Sequence, residues 1–125
     1  MTEKYNLFVY GTLKRFERAN YMLSNSVFVA EAVTKPKYQL YSCTYFPAMT
    51  YGQNSVEGEI YQIDSDVKFR LDLYEGVDEG FYKFEEIELL SIDLVSGNYR
   101  LLDKPIYAYI FKSEINDLVK INKWP

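Results

Sequence analysis

Apolar residues first alternate and then break off within the opening dozen positions. Leu7 and Val9 fall on one side of an extended chain, Phe8 and Tyr10 on the other, so residues 5–10 read as a strand apolar on both faces. The strand stops at Gly11-Thr12 and turns cationic at Lys14-Arg15, which read as the wet end of a loop. Phe16, Ala19, Asn20 and Leu23 recur at helical spacing and predict a short helix over 16–24. Residues 27–33 and 37–42 read as strands parted at Pro36. A proline and a Gly-Gln-Asn-Ser cluster make 46–55 a turn region. Residues 56–63 then form a strand containing Gly58, a sign of a bulge or a close backbone approach.

The period changes again after that strand. Val67, Leu71 and Tyr74 share a stripe, with Asp64 or Ser65 as N-cap and Gly76 just past the end, which predicts a helix over 66–75. Strands resume over 81–95, a Ser-Gly-Asn turn follows at 96–98, and 105–111 is the last strand. Ser113 can cap a final helical turn in the tail. Strands outnumber helices and most connections are short, so the fold class is α+β, with one twisted or closed, mostly antiparallel sheet and two helices packed on it. No repeat or linker divides the 125 residues, and the whole of 1–125 reads as one domain.

Composition narrows the chemistry. Thirteen tyrosines and eight phenylalanines suit half-wet strands. The net charge of −4 argues against a nucleic-acid partner. No run is long enough to cross a membrane and no signal peptide is evident, so the cytoplasm is the expected compartment. There is no histidine, which excludes histidine-based triads and histidine metal sites. Cys43 is the single cysteine and reads as a small core residue. Aspartate-rich loops of the calcium or magnesium kind are absent, so no metal and no cofactor is expected. Acid–base work then falls to carboxylates, lysines and tyrosines.

Among eighteen carboxylates Glu75 is singled out by position. It stands four residues after Leu71, beside the apolar stripe, in the last turn of its helix. The helix dipole and partial burial both raise a carboxyl pKa there, as a general base near neutral pH requires. Gly11-Thr12 closes a strand before a helix, an arrangement that aims backbone N–H groups at one point and suits a carboxylate or phosphate. It matches neither the P-loop nor the dinucleotide fingerprint. Glu57 and Glu59 alternate with Val56, Gly58 and Ile60 and read as the wet face of a strand.

Four of these segments, VYGTLK (9–14), VEGEIYQID (56–64), LDLYEG (71–76) and the following Tyr82, together resemble the γ-glutamylcyclotransferase-like family, also called AIG2-like. VYGTLKR and VEGEIY are most similar to its γ-glutamylamine cyclotransferase branch. The resemblance implies a small mixed, mostly antiparallel β-barrel with helices outside it and a pocket at one end. It implies that the backbone of Tyr10, Gly11, Thr12 and Leu13 cradles the α-carboxylate end of a small-molecule γ-glutamyl substrate. It further implies Glu75 as acid/base and Tyr82 as a pocket wall or a donor to the carbonyl oxygen. The implied reaction is metal-independent release of 5-oxoproline. A non-catalytic binding module on the same barrel, and removal of a γ-glutamyl protecting group in biosynthesis, remain as alternatives, and the leaving amine and oligomeric state stay open. Two positions depart from the family pattern: Phe16 stands where glycine is common, and Asn20-Tyr21 where Asn-His is common.

Overall fold

The first strand, β1 (Lys4–Val9), runs through the middle of the molecule because both of its faces are apolar. A computed structural model describes residues 3–42, 46–95, 101–113, 118–121 and 123–124. After β1 come β2 (Val27–Thr34), β3 (Tyr38–Ser42), β4 (Pro47–Tyr51) and β5 (Glu57–Asp64). The helix α1 (Ser65–Glu75) follows, then β6 (Tyr82–Ile87), β7 (Leu89–Leu94), β8 (Ile106–Phe111) and β9 (Val119–Ile121).

Six strands form one sheet in the order β6-β8-β1-β5-β2-β7, and three form a second in the order β4-β3-β9. β1 lies antiparallel to β5 and parallel to β8, and all other described pairs are antiparallel. Leu7 and Val9 pack with Val67 and Leu71 of α1 on one side of the large sheet. Phe8 and Tyr10 pack with Leu40 and Met49 of the small sheet on the other. Each such side chain, fully buried, contributes roughly 1.5–3 kcal/mol of transfer free energy, so β1 holds the two layers together.

The α+β class and the mostly antiparallel pairing stand, but the barrel and the second helix are corrected. No closed barrel forms among the described residues: β6 and β7 end the large sheet as separate edges. Only one α-helix is present among them, and the expected helix over 16–24 is a single 3₁₀ turn, Asn20–Leu23. The reason lies at Phe16, whose φ of 69° is left-handed and stops a right-handed helix there. The loop then folds back, with the Ala19 N–H bonded to the Thr12 carbonyl at 2.9 Å.

Two further segments differ from expectation. The turn region 46–55 contains β4, which begins with Pro47, the position in a strand where a missing N–H costs least. Its Gly52 turn brings Asn54 back to bridge Tyr38. The tail carries β9, paired with β3 through Leu40 and Ile121, and the helical turn expected from Ser113 falls on 114–117, outside the described residues. The segment 81–95 is two strands, interrupted where the Glu88 N–H turns aside to the Tyr38 hydroxyl at 2.9 Å. Gly58 marks a close approach, as its sequence setting suggested: a Cβ there would overlap the Val9 carbonyl and the Phe8 ring. The register shift sits instead in β2, between Phe28 and Ala30. Cys43, the 96–98 turn and residues 114–117 lie outside the described residues. No helix among the described residues is long and apolar enough to cross a membrane.

Candidate active site

The end of β1 and the end of α1 meet at one cavity of about 560 Å³. It opens at the carboxyl ends of the parallel pair β1 and β8, where Tyr10–Leu13 leave one strand and Tyr109 and Phe111 close the other. All six residues singled out from the sequence line it: Tyr10, Gly11, Thr12, Leu13, Glu75 and Tyr82. Phe46, Pro47, Leu73, Tyr74, Glu79 and Phe81 complete most of the remaining wall. No lysine or arginine is among the lining residues.

Local rules place Glu75. Asp64 caps α1, its Oδ1 accepting from the Val67 N–H at 2.9 Å. Val67 and Leu71 anchor the buried side, while Tyr74, expected on that stripe, is exposed. Glu75, four residues past Leu71, continues the inward line (67, 71, 75) into the cavity. Gly76 then ends the helix at φ 67°, with its own N–H bonded to Leu73 and the Val77 N–H to Asp72. A side chain at Gly76 would also press on Phe81 at 2.8 Å. Burial pushes the Glu75 carboxyl up to about 7.

The loop after β1 presents backbone donors. Among the described residues, no backbone carbonyl accepts from the N–H of Gly11, Thr12 or Leu13. The loop's carbonyls, by contrast, are engaged: Gly11 accepts from Lys14, Thr12 from Ala19, and Leu13 from the Asn20 side chain at 2.8 Å. Three N–H groups with their carbonyls tied back form a surface that can accept an anion.

The structure alters the physical account of several site residues. At Gly11 a Cβ would overlap Pro47 Cγ, so glycine here is required by packing against β4 and not by a left-handed φ. The Tyr82 hydroxyl donates to the Pro47 carbonyl at 2.6 Å, so this residue stands as a wall with its proton already committed. Tyr10 is buried and its hydroxyl donates to the Tyr109 carbonyl at 2.6 Å. Lys14 and Arg15 are not simply a wet loop end. Lys14 is buried with Nζ bonded to the Trp124 carbonyl at 3.1 Å, and burial lowers its pKa. The Arg15 N–H donates to Glu59 Oε1 at 2.8 Å, and its guanidinium lies over the Phe28 ring at 4.1 Å. Glu59, expected wet, is therefore buried beneath the loop, while Glu57 is exposed.

Sequence reasoning missed Tyr109, which sits in the cavity wall and donates through its hydroxyl to Asp72 Oδ1 at 2.7 Å. Its strand was legible, but nothing in YAYIF separates one tyrosine from the next. Among the described residues no three histidine, cysteine, aspartate or glutamate side chains gather as metal ligands.

The family model and the curated relatives point to one group. The family described as gamma-glutamyl cyclotransferase, AIG2-like, matches residues 7–125. A Vibrio cholerae protein provisionally named a gamma-glutamylcyclotransferase is 38% identical over 71 residues, which span 57% of this chain and 62% of that protein. A Methanocaldococcus jannaschii protein with the same provisional name is 31% identical over 108 residues, 84% of this chain and 81% of its own length. An AIG2-like protein of Mus musculus superposes with a TM-score of 0.78 at 20% identity, covering 98% of this chain and 89% of that one. That last likeness is one of fold.

Proposed function

The chain belongs to the AIG2-like gamma-glutamyl cyclotransferase family, and from that premise we propose that it cleaves γ-glutamyl amides by intramolecular aminolysis. The products are 5-oxoproline and a free amine or amino acid. One observation carries the reading: Glu75 lines the same cavity as Gly11, Thr12 and Leu13, whose N–H groups find no backbone acceptor among the described residues.

The loop N–H groups hold the substrate α-carboxylate, which fixes one end of a flexible chain. The chain then folds so that its α-nitrogen approaches the γ-carbonyl carbon, an orientation effect. Ionised Glu75 takes a proton from the α-ammonium and frees the nitrogen lone pair. The nitrogen attacks, closing the five-membered ring. The bond to the leaving nitrogen breaks as Glu75 returns its proton to that nitrogen. Two protons leave the ammonium and two arrive on the leaving amine, and Glu75, carrying them singly, ends ionised as it began. A carboxyl near 7 suits both directions of transfer. No step calls for a metal or cofactor, and the substrate is the only partner the reaction needs.

The test is 5-oxoproline release from a panel of γ-glutamyl compounds: γ-glutamyl amino acids, a γ-glutamyl peptide and γ-glutamyl alkylamides. At least one should turn over, and Glu75→Gln should lower kcat by at least about 10²-fold, or roughly 2.7 kcal/mol. KM should change little, because the loop holds the carboxylate. Wild-type turnover in a folded Glu75→Gln protein would remove Glu75 as the base. Binding without turnover by the wild type would make the cavity a binding site only.

A further inference from the structure

We infer that Tyr109 is a positioning residue that sets the catalytic end of α1 and the anion-holding loop after β1 in register with one another. This rests on the cyclotransferase reading above. Tyr109 reaches both parts through different atoms. Its hydroxyl donates to Asp72 Oδ1 at 2.7 Å, and Asp72 lies on α1 three residues before Glu75. Its backbone carbonyl accepts from the Tyr10 hydroxyl at 2.6 Å, and Tyr10 opens the loop. One residue of β8 therefore ties two elements far apart in sequence, at the two sides of one cavity.

The helix side of the tie is stiff. Asp72 Oδ2 accepts from Lys68 Nζ at 2.9 Å, one turn earlier on α1. Lys68 Nζ in turn sits 4.6 Å from the centre of the Phe84 ring, and Phe84 packs edge-on against Tyr109 at 5.2 Å. The circuit Tyr109, Asp72, Lys68, Phe84 closes on itself across β8, α1 and β6. The Tyr109 proton is committed to Asp72, and burial followed by that hydrogen bond holds the phenol protonated far above its ordinary range. It is therefore a fixed strut, not a proton carrier.

The two ends of the strut make separable predictions. Losing the hydroxyl frees the last turn of α1 and misplaces the base, which costs turnover. Losing the Tyr10 hydroxyl frees the loop, which costs affinity. Glu75 itself reports the difference, since burial alone raises its carboxyl. The titratable groups that share its cavity are Tyr10 just past β1, Tyr74 from its own helix, Glu79 from the loop after α1, Tyr82 from β6 and Tyr109 from β8. Loosening the helix end admits water and lowers its titration midpoint.

The experiment compares Tyr109→Phe, Asp72→Asn and Tyr10→Phe in the full chain, by steady-state kinetics and by NMR titration of the Glu75 side chain. The phenylalanine at 109 keeps the ring that packs on Phe84. Tyr109→Phe and Asp72→Asn should lower kcat at least about tenfold, roughly 1.4 kcal/mol, with KM within about twofold. Both should move the Glu75 midpoint down from about 7 towards ordinary carboxylates. Tyr10→Phe should raise KM at least about fivefold with kcat nearly unchanged. A folded Tyr109→Phe protein with unchanged kcat and an unchanged Glu75 midpoint overturns the inference, as does a Tyr10→Phe effect identical to that of Tyr109→Phe. Where the wild type releases no 5-oxoproline from any substrate, the cyclotransferase reading fails, and the titration alone then decides whether Tyr109 positions Glu75.

Discussion

A carboxyl held near 7 inside a cavity without a cationic neighbour costs the folded protein stability whenever it is ionised. The unfolded chain returns Glu75 to about 4.5. Between those values the folded state binds more protons than the unfolded state, so stability falls as pH rises through that window. Below about pH 4.5 the penalty is absent, and above about 7 it is complete, at most about 3 kcal/mol. Glu75→Gln should therefore melt like wild type at pH 4 and clearly above it at pH 8, in paired thermal scans. A constant offset across the range would mean that Glu75 is solvated. Phe16 is strained in another way. It is left-handed and 96% exposed, so it pays for its backbone without burying its ring. Relief of left-handed strain is worth roughly 1–2 kcal/mol, against about 0.5–1 for the added freedom of glycine when unfolded. Phe16→Gly should be neutral to about 1 kcal/mol stabilising in a urea melt, whereas a helix at 16–24 would be weakened by about 1. Glu75 was legible because its distance from Leu71 is a local fact. Tyr109 was not, because its importance is set by Asp72 and Tyr10, partners lying 37 and 99 positions away.

Among the elements, α1 was the most legible, since cap, stripe and terminal glycine are all written within a dozen residues. Asp64→Ala removes the cap bonded to Val67 and should cost about 1 kcal/mol, lowering Tm by about 3–6 °C. Turnover at 25 °C should hold, because Glu75 sits at the opposite end and is fixed there by Gly76. A loss of kcat larger than the loss of folded protein would show that the helix acts as one lever. β4 and β9 were hidden for opposite reasons. β4 begins with a proline and runs into a turn cluster, so its breakers outweigh its Ala48 and Met49. β9 is three residues long with Lys120 at its centre, and only its pairing with β3 makes it a strand. The 16–24 helix was over-read, because periodicity does not register that Arg15 and Asn20 are pulled away to Glu59, Leu13 and Tyr61.

At the scale of the molecule, the α+β class follows from strands with short connections, but closure into a barrel does not. Whether two edge strands meet depends on the summed twist of all six, which no single segment carries. Among the described residues the edges remain apart, and β7 presents Leu90, Ile92 and Leu94 on a strand with one hydrogen-bonded neighbour. The parallel pairing of β1 with β8 carries a consequence for the order of events in the cell. The donor loop and its closing wall are separated by almost the whole chain, with Tyr10 and Tyr109 99 positions apart. At a synthesis rate of about 5–20 residues per second, the loop leaves the ribosome roughly 5–20 s before the strand that completes its cavity. Glu75 is made well before that strand too. The growing chain thus holds the loop after β1 and Glu75 for seconds without the wall that joins them, and the cavity comes into being only when β8 slides in beside β1.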